Sequence, residues 1–247
     1  WGYLPFLNRS NILLHPSPQV LVDNYFNTYD DNNDGKAIFI ARSNKRCQQI
    51  CNEYRQIKGF HHTVCVGDML MVIQNQQTTG LMNGDFVRVI QIGSFFSKPL
   101  RVDKSRYKGM STLTFVNLKL EETSSKRQYD TLLLLETLVQ GNLDQVQQTS
   151  LFLDFAFRMK EQGITQKENE ADFNAALSRD PFLNALRCSY GYAVTCHKAQ
   201  GGEWGEVFVD IMRNFTLNPV KETYQWMYTA LTRARHRFHC VNDFYIK

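Results

Sequence analysis

Short apolar runs alternate with helix-period segments toward both ends of the chain. Residues 37–41, AIFIA, lie between Gly35 and the polar residues 42–44, as is typical of a buried parallel strand. The next segment repeats apolar residues at i, i+3, i+4 and i+7, which are Cys47, Ile50, Cys51 and Tyr54. This spacing predicts an amphipathic helix, and Gly59 stands just past its end as a cap.

The last part of the chain repeats this order. Residues 206–211 form another apolar run, a helix-period segment spans about 220–236, and residues 238–241 form a further run. The apolar stripe predicted for that helix consists of Tyr224, Met227, Tyr228 and Leu231. Strands that alternate with helices predict an α/β fold in which a parallel sheet is flanked by helices.

The middle of the chain follows a different period. Strand patterns occur at residues 68–74, 85–92, 112–120 and 128–138. Several short strands in sequence, the first two separated by the turn signal Asn83-Gly84, predict a small antiparallel barrel. After Gly141 the pattern becomes helical and polar, above all over residues 165–178. We therefore expect an exposed helical excursion before Asp180-Pro181 returns the chain to the parallel sheet.

Composition places the chain among ordinary globular proteins. With 247 residues, of which 43% are hydrophobic, it can build a substantial core. No apolar run approaches the roughly 20 residues of a membrane span, and no secretion leader is visible after Trp1. The six cysteines lack the close pairing of a disulfide scaffold, so we expect reduced thiols in a cytoplasmic protein.

The net charge of +4 permits nucleic-acid binding without requiring it, but basic residues cluster in one stretch. Residues 98–108 contain a single acid, Asp103, and five basic residues: Lys98, Arg101, Lys104, Arg106 and Lys108. Phe95, Phe96 and Tyr107 are interleaved with them. Such a stretch can bind a single strand through its phosphates and bases. The alternative is a solvated loop of a β domain whose aromatic residues turn into the core.

Two segments near the C terminus carry the most specific signal. GYAVTCHKAQGGE begins at Gly191, and TALTRAR begins at Thr229. They resemble the last two motifs of superfamily 1 helicase motors, most closely in the RecD-like and Dda-like branch. The matching positions are Tyr192, Ala193, Thr195, His197, Lys198, Gln200, Gly201, Glu203, Ala230, Leu231, Thr232, Arg233 and Ala234. This resemblance implies a RecA-like, P-loop NTPase-type lobe.

The same branch carries an SH3-like insertion in its second lobe, and the middle segment resembles the opening of that insertion. The matching residues are Gly67, Asp68, Met71, Asn75, Asn83, Gly84 and Asp85. The resemblance implies three parts: residues 1–62 as the first part of the lobe, residues 63–180 as the barrel with its helical excursion, and residues 181–247 as the second part of the lobe. We find no P-loop string, G-x-x-x-x-G-K-[ST], in the chain. We therefore expect the C-terminal part of a helicase without its nucleotide-gripping lobe.

The resemblance also implies a nucleotide-binding set. Arg233 corresponds to an arginine finger, which neutralises charge on a transferred phosphoryl group. Its alternative is a helix C-terminal arginine that answers the helix dipole. Glu203 would approach the ribose, Gly201 and Gly202 would let the backbone approach the ligand, and Gln200 would contribute a polar contact. The alternative for the glycines is a turn that only connects two elements.

A second set is implied for DNA. Thr195, His197 and Lys198 can each donate to phosphate oxygens without selecting a base. Arg42, Ser43 and Asn44 resemble a further strand-gripping motif, and Ser43 or Asn44 also suits a helix N-cap. We expect no metal site, because Ala41 stands where a calcium loop beginning at Asp30 needs glutamate.

The function implied is an ATP-dependent DNA helicase that uses ATP and Mg²⁺. It would translocate on single-stranded DNA, 5′ to 3′ by analogy, and act at duplex junctions. This part would need the N-terminal motor lobe as a partner, would be inactive alone and would not contact a membrane. The alternatives are a non-catalytic nucleic-acid-binding module and the helicase-like subunit of a nuclease complex.

Overall fold

The computed structural model describes residues 10–29, 35–100, 112–211 and 220–242. The chain divides into two compact units. The first unit combines the residues up to His61 with those from Gly191 onward, and the second unit is His62–Tyr190. The calcium-like loop at residues 30–34 and most of the basic stretch, residues 101–108, lie outside the described residues.

The elements follow the chain in this order. They begin with β1 (Ile12–His15), α1 (Pro18–Thr28), β2 (Ala37–Ala41), α2 (Asn44–Ile57), β3 (Met69–Val72), β4 (Phe86–Pro99), β5 (Thr112–Glu122) and β6 (Gln128–Leu134). They continue with α3 (Glu136–Gln140), α4 (Gln145–Glu161), α5 (Glu170–Arg179), β7 (Cys188–Tyr190), β8 (Ala193–Thr195), β9 (Trp204–Val209), α6 (Lys221–Leu231) and β10 (Ala234–Val241).

The first unit is built on a parallel sheet in the order β1-β10-β9-β2-β8. All of its neighbouring strands run parallel. Every residue of β2 is buried, as are Val207–Val209 in β9, which is the pattern of strands covered on both faces. The predicted α/β fold with a RecA-like parallel sheet is therefore confirmed.

Helix α2 begins where the sequence indicates. The hydroxyl of Ser43, in extended backbone, accepts a hydrogen bond from the backbone N–H of Arg46 at 3.2 Å and so caps the helix. The predicted stripe of Cys47, Ile50, Cys51 and Tyr54 is buried. An aromatic cluster joins α2 to α1, with Tyr54 packed against Tyr29 and Tyr192.

Helix α6 differs from its prediction in both length and face. The predicted helix ran to about residue 236, but α6 ends at Leu231 and β10 begins at Ala234. Its buried residues are Thr223, Met227 and Ala230. Tyr228, placed in the core by the sequence, is 70% exposed. The spacing i, i+4, i+7 from Thr223 defines the inner face, and Tyr228 lies about 100° round the helix from Met227.

The second unit is an antiparallel sheet in the order β6-β5-β4-β3-β7. The residues just before β7 return to β6: Leu186 donates to the carbonyl of Leu132 and accepts from the N–H of Leu134. Because β7 itself pairs with β3, this bridge closes the sheet into a small barrel. The unit continues to Tyr190, beyond the return expected at Asp180-Pro181, because β7 completes the barrel.

The segment after Gly141 is helical, as predicted, but it is not a fully exposed excursion. Leu151 of α4 joins a core cluster with Leu113, Phe115 and Leu134 of the barrel. Further along α4, Phe155 and Met159 pack on Phe173 of α5. These α4 residues lie at i, i+4 and i+8, a spacing that places all three on one buried stripe of the helix.

The described part of the basic stretch has a structural role. The ammonium of Lys98 lies 3.2 Å from Asp154 and 4.6 Å from the centre of the Phe182 ring. Phe96 stacks on Phe115 and contacts Phe182, whereas Phe95 is 51% exposed. Phe96 is therefore turned toward the core, as the alternative expects, whereas Lys98 lies in β4 and pairs with Asp154 rather than standing in a solvated loop. Within the described ranges, no helix combines the length and apolarity of a membrane span.

Candidate functional site

The segment that joins β8 to β9 carries most of the predicted residues. Thr195 ends β8 opposite Ala41 of β2, whereas Trp204 begins β9 at the other end of the sheet. Two parallel strands can be joined only by a chain that crosses from a carboxyl end to an amino end. Residues 196–203, called the crossover here, make this passage as a series of turns. The predicted residues are consequently divided between the two edges of the sheet.

A groove of about 600 Å³ lies between the crossover and α6. Three predicted residues line it: Arg42 just after β2, and His197 and Gln200 of the crossover. The other lining residues are Cys196, Val220, Glu222, Thr223, Gln225, Trp226, Tyr228 and Thr229. Gln200, predicted from the resemblance for the nucleotide set, thus lies with two residues of the DNA set.

The groove residues of α6 could not be selected from the sequence. Tyr228 was interpreted through helical periodicity alone and Trp226 was not singled out, because periodicity cannot decide which side of a helix a second segment will contact. The Cys196 thiol lies 3.4 Å from the carbonyl oxygen of Trp226 and so joins the crossover to α6. Burial raises the pKa of Cys196 to about 11, opposed in part by the charge of Arg233, so this thiol is no nucleophile near neutral pH.

The remaining residues of the DNA set surround α2 and the end of β8. Ser43 and Asn44 are exposed, and Ser43 uses its hydroxyl to cap α2. Lys198 reaches solvent, but partial burial lowers the pKa of its ammonium, and the nearby thiols of Cys47 and Cys51 oppose that shift. Thr195 is half-buried, and its carbonyl accepts the N–H of Ala199, which starts the first turn of the crossover.

An ion pair that the sequence did not reveal stabilises this edge. The guanidinium Nε of Arg46, in the first turn of α2, lies 2.8 Å from the carboxylate of Asp210 at the end of β9. The Asp210 side chain is only 3% exposed. The contact ties the helix after β2 to the central strand β9, and with it the backbone that carries Arg42.

At the opposite edge, Arg233 is held by three hydrogen bonds. Its Nε donates to the carbonyl of Thr229 at 3.1 Å, its Nη1 to the carbonyl of Gly202 at 3.1 Å, and its Nη2 to the Thr232 hydroxyl at 3.0 Å. These bonds use three of the five guanidinium N–H groups. One N–H on each terminal nitrogen is not used by these bonds and is left to meet a further acceptor.

Glu203 lies beside this arrangement. Its carboxylate is 3.1 Å from Nε of Arg235, and both side chains are more than half exposed. Exposed pairs of this kind contribute about 0–1 kcal/mol, so a ligand can displace the contact at little cost. The motif match selected Arg233 and not Arg235, but Arg235 of β10 is the arginine that contacts the Glu203 carboxylate.

The two glycines of the crossover are required by geometry. Gly201 has φ of +84°, a left-handed conformation that suits glycine. A Cβ on Gly202 would lie 2.3 Å from the Trp204 ring. The turn at Gly201 and Gly202 therefore packs tightly against the start of β9, and this packing holds the Gly202 carbonyl that accepts from Arg233.

Comparison with known proteins adds one family. Residues 190–241 match the model of the UvrD-like helicase C-terminal domain. A search among curated proteins found no match. Among solved structures, the Pif1 helicase from Candida albicans is similar over 92% of this chain and 50% of that chain, with 11% identity and a TM-score of 0.40. The chain thus spans about half the length of that protein. The family match supports a superfamily 1 helicase C-terminal region at residues 190–241.

Proposed function

We propose that the chain is the second motor lobe of an ATP-dependent superfamily 1 DNA helicase of the RecD-like and Dda-like branch. The observation that carries the proposal is the bond from Arg233 to the carbonyl of Gly202. It brings three residues of the implied nucleotide set, Gly202, Glu203 and Arg233, to one edge of the sheet. The second unit would be the SH3-like insertion of that branch.

The amino edge would act on ATP. The two remaining N–H groups of Arg233 suit a phosphoryl oxygen, and charge neutralisation there accelerates phosphoryl transfer. Glu203 can accept a hydrogen bond from a ribose hydroxyl once it leaves Arg235. The P-loop and the magnesium ion would belong to the N-terminal lobe, so we assign no metal ligand to this chain.

The carboxyl edge would hold single-stranded DNA. Arg42 and His197 in the groove, with Gln200 beside them, offer donors to phosphate oxygens that do not depend on sequence. Thr195, Lys198, Ser43 and Asn44 would extend this surface. By analogy the motor would move 5′ to 3′. The six free thiols support a reducing cytoplasmic compartment.

The crossover would connect the two activities. It starts directly after Thr195 on the strand-binding edge and ends at Glu203 on the nucleotide edge. A shift of the turn when the lobes close on ATP would therefore reach His197 through a few residues of continuous backbone. We propose this path as the mechanical link of the lobe.

Arg233→Ala in the full-length enzyme tests the proposal. We expect strand-stimulated ATP hydrolysis to fall by about 10³-fold or more, while affinity for single-stranded DNA stays within about twofold because Arg233 does not line the groove. Arg237→Ala is the matched control, since this exposed arginine of β10 pairs with Glu206 and should leave turnover unchanged. Near-normal turnover in Arg233→Ala would remove the finger assignment.

A further inference from the structure

Trp204 has a relation to Arg233 that the helicase motifs do not describe. Its indole ring is 6% exposed and packs against the Cα of Gly202, where a Cβ would meet ring carbons at 2.3 to 3.0 Å. The position of the Gly202 peptide is therefore set by the ring. Since that carbonyl accepts the Nη1 bond of Arg233, the ring also determines where the acceptor lies.

Trp204 contacts Arg233 a second time through its backbone. Its N–H donates to the carbonyl of Arg233 at 2.9 Å, next to the register pair Trp204 and Ala234 of the parallel sheet. One residue thus holds the main chain of Arg233 directly and the side chain of Arg233 through Gly202. The two contacts together fix both ends of a long side chain that otherwise has four rotatable bonds.

The guanidinium has two other anchors at the C-terminal end of α6, Thr229 in its last turn and Thr232 directly after it. The Thr229 carbonyl accepts from Nε and the Thr232 hydroxyl accepts from Nη2. The Thr232 hydroxyl lies 3.0 Å from the carbonyl of Tyr228, to which it donates. The Gly202 carbonyl is the anchor among these three that comes from outside α6. Without it, the guanidinium can rotate about the helix end and move its two remaining N–H groups.

We infer that Trp204 is a positioning residue for Arg233, acting through the carbonyl of Gly202. The expected effect on catalysis rests on the proposed function, whereas the effect on the orientation of Arg233 does not. A tryptophan that served only as core would affect stability and leave the guanidinium in place. A positioning residue must change the orientation of Arg233 and the rate of the chemical step, with little effect on the binding of ATP or DNA.

The expected size follows from the sensitivity of catalysis to geometry. A displacement of about 1 Å in a catalytic group costs on the order of 10²-fold in rate. Trp204→Ala leaves two of the three anchors, so we expect kcat to fall by about 10- to 100-fold. Trp204→Phe keeps an aromatic side chain but lacks the outer ring carbons that meet Gly202, so its kcat should lie between the values for Trp204→Ala and the wild type.

The first measurement concerns the side chain itself. In ¹⁵N-arginine NMR spectra of this chain, assigned with Arg233→Ala, the Arg233 N–H signals should be resolved and protected from exchange. They should lose only part of their protection in Trp204→Phe and collapse to the averaged signals of a free guanidinium in Trp204→Ala. Gly202→Ala, which keeps the ring but displaces the carbonyl, should give the same collapse if Trp204→Ala proves too unstable to study. Phe39→Leu, a buried change in β2, controls for general loss of packing.

The second measurement is ATP turnover by the full-length enzyme. Trp204→Ala should lower kcat with the KM for ATP and the affinity for single-stranded DNA within about twofold of wild type, and Gly202→Ala should lower kcat as well. Unchanged Arg233 signals in both variants would overturn the inference, whatever happens to the rate. If the Arg233 signals collapse in these two variants but Arg233→Ala has normal turnover, the positioning role of Trp204 is supported and the proposed function is refuted.

Discussion

Arg158→Met should destabilise the second unit by about 3 kcal/mol. Arg158 of α4 lies between two carboxylates, 3.0 Å from Asp154 and 2.6 Å from Asp180. The side chains of these acids are 2% and 4% exposed. Lys98 lies 3.2 Å from Asp154 on its other side, so the cluster holds two positive and two negative charges.

The magnitude follows from what the substitution leaves behind. Breaking a buried ion pair by removing one partner costs about 3–5 kcal/mol, because a buried charge is left uncompensated. Asp154 would keep Lys98, whereas Asp180 would keep only the backbone N–H groups of Phe182 and Leu183. Since Arg158 is itself 23% exposed, water can partly replace it, which places the estimate at the lower end of this range.

Urea unfolding followed by circular dichroism would measure the change, with hydrogen exchange of the α4 amides to locate it. Arg179→Met, an exposed arginine at the end of α5, is the matched control and should stay within about 0.5 kcal/mol of wild type. Adding Asp180→Asn to Arg158→Met should recover part of the loss, because the amide oxygen can still accept the two N–H groups without a buried charge. A loss below about 0.5 kcal/mol for Arg158→Met, or no recovery in the double variant, would refute the account.

Two further predictions concern the first unit. His15 Nε2 lies 3.1 Å from His239 Nδ1, and burial lowers the pKa of both imidazoles; the unfolded chain therefore takes up protons first as the pH falls. The stability contributed by the two neutral histidines should be complete above the unfolded pKa of about 6.5. Below that pH, the free energy of unfolding should decrease by up to about 1.4 kcal/mol per pH unit for each histidine. Chemical denaturation at several pH values measures this decrease, and the decrease should disappear in the double variant His15→Leu/His239→Phe. The chain should also bind single-stranded DNA with a dissociation constant on the order of 10⁻⁴ to 10⁻⁶ M, weakened by salt and by Arg42→Ala; fluorescence anisotropy at two salt concentrations tests this, and salt-independent binding would contradict phosphate recognition.

Local periodicity predicted strands β2, β9 and β10 of the parallel sheet, where the signals are local, whereas β1 and β8 were not predicted. The run at residues 37–41 is buried on both faces of its strand, and Ser43 is a cap whichever residues pack above it. The end of α6 was predicted too late. Helix propensity continues through Ala234, but pairing of Ala234 with Trp204 in the neighbouring strand takes that residue into β10, and this long-range contact has no local signal.

The charged residues were the hardest to interpret for the same reason. Lys98 belongs to a run of basic residues along the chain, yet its partner Asp154 lies on a helix more than fifty positions away. Glu203 and Arg235 are likewise separated by a strand and a helix. Charge density along a sequence indicates how many partners are available, but only the fold decides which of them are reached.

The motif match and the sheet topology explain each other at the crossover. From the sequence alone, the residues implied for DNA and those implied for the nucleotide could lie together on one surface of the lobe. The parallel order of β8, β2 and β9 excludes it, because the carboxyl end of one strand and the amino end of another lie at opposite edges. Thr195 and Glu203 must therefore be separated by about the length of a strand, although only a short stretch of chain joins them. Two contacts at the ends of one short, tightly turned segment can respond to each other without a further element, which is the property that the proposed motor lobe requires.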